Sequence, residues 1–166
     1  LQFGFAGNFL IRSRNQFCDS QFTTASTNST ESPERMGALV NDLQTRFPNA
    51  KICMVGTSRS TYSTMGLAEK FDGKIDCIIH TASMNQIARF DTRKFKSRHL
   101  MVHHKNDPCH LTTYASTQSN HERYKTPLIT MEGGSSTGDA CQAFSYHGFH
   151  GIEQQTIDQI KAWIRN

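Results

Sequence analysis

Apolar and polar positions along the chain alternate between two patterns. Four short and nearly continuous apolar runs predict buried strands, over Ile52–Val55, Ile75–His80, Leu100–His104 and Leu128–Met131. Strands of this kind, separated by helices, predict a mainly parallel sheet with both faces covered. A further short strand is predicted over Phe22–Thr27, which is rich in β-forming residues. The pattern therefore predicts an α/β fold, taken as a single domain over residues 1–166.

Capping residues mark where the helices between these strands begin. Asn8 is the predicted cap of the first helix, and Ser32 followed by proline is a strong start for the second. A helix over Thr61–Lys70 is predicted directly after the first of the four apolar strands. The last helix begins at about Gly151 and places four isoleucines on one face: Ile152, Ile157, Ile160 and Ile164.

Composition and charge narrow the classes of partner. The net charge is +4, and the basic residues cluster locally at Arg89, Arg93, Lys94, Lys96 and Arg98. Nucleic-acid binding needs a broader basic stripe with interleaved aromatic residues, so no nucleic-acid partner is expected. No apolar run approaches the ~20 residues that cross a bilayer, and Leu1–Phe3 does not resemble a signal peptide. No membrane span is therefore expected.

The segment Gly56-Thr57-Ser58-Arg59-Ser60 is the first candidate for chemistry. It lies between a predicted buried strand and a predicted helix. A serine between small residues on such a strand-to-helix turn is how an α/β-hydrolase presents its nucleophile. The motif by itself is imperfect, because Ser60 stands where the second glycine usually lies. An ordinary helix cap is the alternative role for Ser58.

An acid and a histidine follow in the chain order that hydrolases of this fold use, serine, then acid, then histidine. Asp107 comes just after the predicted strand Leu100–His104, and His147 lies between the last strand and the last helix. A serine made reactive by an imidazole, which a carboxylate orients, is the arrangement that nucleophilic acyl transfer requires. Alternatively, Asp107 is a turn residue and His147 a loop histidine, but ligands of parallel sheets do bind at these strand ends.

Four parts of the chain also carry a resemblance to a known family: Gly7–Arg14, Val55–Arg59, Val102–His104 with Asp107–Cys109, and Cys141 followed by His147–Phe149. Together they resemble a group of bacterial α/β-hydrolase-fold proteins, over nearly the whole chain. The resemblance implies a serine hydrolase that needs no cofactor or metal, with Ser58 as nucleophile, Asp107 as acid and His147 as base. His150, three residues beyond His147, is the rival base.

The five cysteines fall into different settings. Cys53 and Cys77 lie within apolar strands and are predicted to be small buried thiols. Cys109 and Cys141 lie in polar loops that carry the candidate catalytic groups, and they are either disulfide-bonded or two free loop cysteines. The resemblance implies the disulfide, which favours a periplasmic or secreted location.

The oxyanion hole needs two hydrogen-bond donors. The backbone N–H of Arg59, directly after the nucleophile, is the first candidate. In proteins of this resemblance the second comes from a strand and loop upstream of Gly7; residues Gly4–Gly7 are the alternative source. That strand also lies in the middle of their sheet, so this chain is expected to lack N-terminal strands. An upstream segment or a second chain is expected to fill the gap, since buried backbone groups need partners.

The predicted function is hydrolysis of a small-molecule carboxylic ester through an acyl-serine intermediate. Two alternatives belong to other classes. A metal-assisted hydrolase is one, because the region from His103 to His150 contains residue types that bind metals, although their spacing is irregular and matches no known metal motif. A hydrolase-like module that only binds a ligand or partner is the other.

Overall fold

A single parallel sheet of four strands organises the fold. The computed structural model describes residues 7–28 and 31–166. Its strands are β1 (Cys53–Thr57), β2 (Cys77–Thr81), β3 (Arg98–His104) and β4 (Leu128–Met131), paired in the order β1-β2-β3-β4. All four predicted apolar strands are confirmed, and β4 has the predicted bounds. Because the strands are parallel, their carboxyl ends lie along one edge of the sheet.

Seven α-helices surround this sheet in the described residues: α1 (Phe9–Arg12), α2 (Arg14–Phe17), α3 (Pro33–Arg46), α4 (Thr61–Gly66), α5 (Ala68–Phe71), α6 (Tyr114–Tyr124) and α7 (Glu153–Arg165). Both predicted caps are confirmed. Asn8 Oδ1 accepts the N–H of Leu10 at 3.0 Å, and Ser32 Oγ accepts the N–H of Arg35 at 3.3 Å. The helix predicted over Thr61–Lys70 is instead divided into α4 and α5.

Two apolar clusters cover the two faces of the sheet. One joins side chains of α1, α2 and α7 to alternate residues of the strands, including Ile79, Leu100 and Val102. The other joins α3, α5 and Leu67, the residue between α4 and α5, to Met54 and Ile78. Strands β2 and β3 are buried along almost their full length. The sheet is therefore a rigid platform, and its strand ends can hold side chains in fixed positions.

The strand predicted over Phe22–Thr27 is wrong. These residues have no regular secondary structure, and all but Phe22 are exposed. Their β-forming side chains favour an extended backbone, but a strand is stabilised by its neighbours more than by intrinsic preference. Among the described residues, no strand lies beside this segment to pair with it.

The prediction of buried free thiols at Cys53 and Cys77 is also wrong, because the two residues form a disulfide. They are directly paired in the register of β1 and β2, with their Cα atoms 4.5 Å apart. That spacing is within the range that a disulfide can bridge. The bond therefore joins β1 covalently to the interior of the sheet.

Candidate active site

The turn after β1 holds Ser58 in an unusual backbone conformation. Ser58 begins a short 3-10 turn, Ser58–Ser60, which continues into α4, and its φ is +51°. Residues other than glycine seldom adopt this left-handed region, and such strain is concentrated at functional sites. A sharp strand-to-helix turn of this kind is where α/β-hydrolases carry their serine nucleophile, at the top of a parallel sheet.

Hydrogen bonds from the motif itself hold this turn closed. Ser60 Oγ accepts the N–H of Thr57 and donates to the carbonyl of the same residue, both at 2.8 Å. Thr61 Oγ1 donates to the carbonyl of Ser58 at 2.7 Å. A Cβ on Gly56 would lie 2.7 Å from the carbonyl oxygen of Ser60, so the turn requires glycine there. Ser60 therefore ties the turn together through its hydroxyl.

The structure brings Ser58, Asp107 and His147 together at the carboxyl edge of the sheet. Asp107 follows β3, and His147 lies in the 3-10 turn Tyr146–Gly148 that precedes α7. His147 Nε2 is 2.9 Å from Ser58 Oγ, and His147 Nδ1 is 3.0 Å from Asp107 Oδ2. The three side chains form one continuous chain of hydrogen bonds.

The bonding partners fix the proton positions in this chain. An ionised carboxylate can only accept, so Nδ1 of His147 carries the proton that is donated to Asp107. Nε2 then has a free lone pair, which accepts the hydroxyl proton of Ser58. This is the tautomer that a general base beside a serine nucleophile requires.

Asp107 is held as a carboxylate by four donors. Its Oδ2 accepts from His147, from His103 Nε2 at 3.1 Å and from Thr112 Oγ1 at 3.1 Å, while Oδ1 accepts the N–H of Cys109 at 2.9 Å. Burial acts to raise the pKa of Asp107, but the hydrogen bonds from His103 and His147 outweigh it and lower the pKa to about 2. The group therefore carries its charge at neutral pH.

The rival base, His150, lies away from this chain. Its ring packs edge-on against Phe144, and its Nδ1 is 3.7 Å from Glu153 Oε1. Among the described residues, His147 is the histidine whose ring nitrogen is hydrogen-bonded to Ser58.

A disulfide and an arginine connect the loops that carry Asp107 and His147. Cys109 and Cys141 form the bond that the resemblance implies, so the loop of Asp107 is tied to the loop that leads to His147. Arg12 donates to the carbonyl of Gly148 at 2.6 Å and forms an ion pair with Glu153 at 2.8 Å. It also donates to the carbonyl of Gly7. The guanidinium therefore joins the start of α1 to the loop that carries His147.

Sequence reasoning missed two residues that contact the acid. Thr112 is fully buried, and besides its bond to Asp107 its Oγ1 lies 2.9 Å from His147 Nδ1. The sequence indicated His103 only as part of the segment Val102–His104 that carries the resemblance and as a residue type that binds metals, and not as a partner of Asp107. Its position at the end of β3, four residues before Asp107, is the signal in the sequence that could have indicated this contact.

A cleft of about 2130 Å³ opens beside β1 and reaches Ser58 and His147. Its lining includes β1, residues 21–28 and apolar side chains of α3 such as Leu39 and Leu43. Arg59, the predicted oxyanion donor, also lines it, directly after Ser58. Of the alternative donors, Gly7 lies along this cleft and the remainder of Gly4–Gly7 falls outside the described residues.

The described residues contain neither a candidate metal site nor a candidate membrane-spanning helix. No group of three or more histidine, cysteine, aspartate or glutamate side chains there is arranged to hold a metal ion. No helix in the same part of the chain has the length and apolarity to cross a membrane.

Comparison with family models and with curated proteins gives no match. Similar solved structures include an α/β serine hydrolase homologue from Coxiella burnetii, with a TM-score of 0.57 and 14% identity over 97% of this chain and 77% of that one. They also include an α/β serine hydrolase without a lid from Xanthomonas campestris, with a TM-score of 0.52 and 14% identity over 86% of this chain and 63% of that one. At this identity the likeness shows the fold, and the chain has the α/β-hydrolase fold.

Proposed function

We propose that this protein is a serine hydrolase that cleaves carboxylic esters through an acyl-serine intermediate. The observation that carries the proposal is the hydrogen-bonded chain from Ser58 Oγ through His147 to Asp107, with Ser58 on a strained turn. Each atom has the role that nucleophilic acyl transfer needs. The fold supports the proposal, because the site lies where α/β sheets bind their ligands.

The proposed reaction has two halves. Ser58 Oγ attacks the ester carbonyl carbon while His147 Nε2 takes the hydroxyl proton, and the N–H of Arg59 donates to the oxyanion. The intermediate collapses, the carbon–oxygen bond to the leaving alcohol breaks, and Nε2 returns its proton to that alcohol. A water molecule then attacks the acyl-serine, its proton passes through Nε2 to Ser58, and the acid is released. Asp107 stabilises the imidazolium in both halves.

We propose small-molecule esters as the substrate class. The part of the cleft next to Ser58 is the place for the acyl group, and it is distinct from the part that runs along β1. No cofactor takes part in the proposed reaction.

Labelling by a fluorophosphonate probe tests this function. We expect the purified protein to be labelled and to hydrolyse p-nitrophenyl esters, and Ser58→Ala to lose both, because the probe reacts only with an activated serine. Ser136→Ala, in an exposed loop, is the matched control and should label like the wild type. A folded wild-type protein that is not labelled would overturn the proposal in favour of a binding module. Ester hydrolysis that persists in Ser58→Ala and disappears in chelator would favour a metal-assisted hydrolase instead.

We further propose that another polypeptide segment, from upstream or from a second chain, pairs with the edge of β1 that no described strand covers. The carbonyl of Ile52 accepts N–H groups at the start of β2. Peptide groups alternate in direction along a strand, so those of Cys53 and Val55 point away from β2. Buried peptide groups need partners, and the cleft beside β1 leaves room for a strand.

The mass of the native assembly tests this pairing. Native and denaturing mass spectrometry of the protein isolated from its source should reveal a second polypeptide bound to this chain. A stable monomer that contains this chain alone would contradict the proposal.

A further inference from the structure

We propose that His103 is a positioning residue, which fixes the carboxylate of Asp107 so that Oδ2 faces His147. This inference rests on the proposed function, since it assigns His103 a part in the same site. His103 lies at the end of β3, and its side chain is fully buried.

The hydrogen bonds of His103 define its protonation. Its Nε2 is 2.8 Å from the carbonyl oxygen of Thr112 and 3.1 Å from Asp107 Oδ2. Both partners only accept, so Nε2 carries a proton and shares it between them. The imidazole therefore connects the backbone at Thr112 to the acid of the site.

The donors around Asp107 leave its carboxylate one orientation. His103 and Thr112 contact Oδ2 from the protein interior, and the N–H of Cys109 contacts Oδ1. A rotation of the carboxylate about its side-chain torsion would break bonds to both oxygens. His147 donates to the same Oδ2. The donors that fix the orientation of the carboxylate therefore also fix the acceptor that holds His147.

Packing alone is a poor explanation for a histidine at position 103, because of its other ring nitrogen. Nδ1 is buried and has no hydrogen-bond partner in the described part of the chain. A buried polar atom without a partner destabilises the fold, and an apolar side chain at this position would not bring in such an atom. What the imidazole provides that an apolar side chain cannot is the N–H aimed at Asp107 and Thr112.

Three variants test whether this N–H acts on catalysis. In His103→Leu we expect kcat for ester hydrolysis to fall by about 10- to 100-fold with KM nearly unchanged, because a hydrogen bond to a charged group is lost. His103→Gln retains a side-chain N–H donor and should recover most of the loss. His99→Leu is the matched control, since His99 is buried on the same face of β3 but pairs with His80, and its kcat should stay near that of the wild type.

A double-mutant cycle separates positioning from general damage. If His103 acts through Asp107, adding His103→Leu to Asp107→Asn should cause little further loss of kcat, whereas independent effects would multiply. Thermal unfolding of each variant establishes that it is folded. Multiplicative losses, or equal activity of the Leu and Gln variants, would overturn the inference. A wild-type protein that neither hydrolyses esters nor reacts with the fluorophosphonate would instead refute the proposed function.

Discussion

Asp107→Asn is expected to lower kcat for ester hydrolysis by about 10³- to 10⁴-fold while the protein remains folded. The carboxylate accepts four hydrogen bonds, three of them at Oδ2. An asparagine cannot accept at both positions, because its amide nitrogen would face donors. If the nitrogen replaces Oδ2, an amide N–H faces Nδ1 of His147 in place of the accepting carboxylate oxygen, and the opposite tautomer is favoured. Nε2 then carries a proton and cannot take the one from Ser58.

Steady-state kinetics on a p-nitrophenyl ester measure this effect, with circular dichroism as the check of folding. Asp139→Asn is a matched control, since Asp139 is exposed in the loop before His147, and its kcat should stay within about twofold of the wild type. A folded Asp107→Asn protein with kcat within tenfold of the wild type would show that the carboxylate does not assist the base.

The elements that carry this site could be predicted because their signals are local. Each apolar run became a strand, and two side chains, Asn8 and Ser32, capped the helices as expected. In a parallel sheet all carboxyl ends share one edge, so residues that follow different strands are brought together without any knowledge of the loops. The positions of Ser58 and Asp107 just past strand ends, together with the chain order and the family resemblance, therefore predicted that the two residues would meet His147.

Other contacts of the site depend on distances that a sequence does not contain. The chain turns back after β3, and this brings the carboxylate of Asp107 to His103. Thr112 contacts both residues there. The disulfide between Cys53 and Cys77 depends on the register of β1 and β2, which decides whether two buried thiols are neighbours. The sequence contains the residue types that form both contacts, but which of these residues pair is decided only in the folded chain.

The failure over Phe22–Thr27 has a different cause. Its side chains do favour strands, but hydrogen bonds to a neighbouring strand define the element. The segment instead has no regular secondary structure and forms part of the lining of the cleft beside β1. A local pattern can therefore indicate a preference for strand, but pairing requires a partner elsewhere.

Gly148→Ala should lower kcat by about 100-fold and reduce the free energy of unfolding by about 1–3 kcal/mol. A Cβ at Gly148 would lie 2.0 Å from the carbonyl oxygen and 2.6 Å from the carbonyl carbon of Ala143. Both atoms belong to the backbone, so the turn must open by about 1 Å or more to reach a tolerable contact distance. His147 is the residue directly before Gly148, and a displacement of this size separates its Nε2 from Ser58.

Two attachments limit how far the turn around Gly148 can move. Arg12 holds the carbonyl of Gly148, and the disulfide at Cys141 anchors the loop two residues before Ala143. With both ends held, the chain between them must absorb the change.

Gly37→Ala is the matched control, because a Cβ there meets nothing within 4 Å inside α3, and alanine should stabilise that helix by up to about 1 kcal/mol. Chemical denaturation together with ester kinetics compares the two variants. Equal stability and activity in both would mean that the turn of His147 tolerates the shift and that its position is not set by the contact at Ala143.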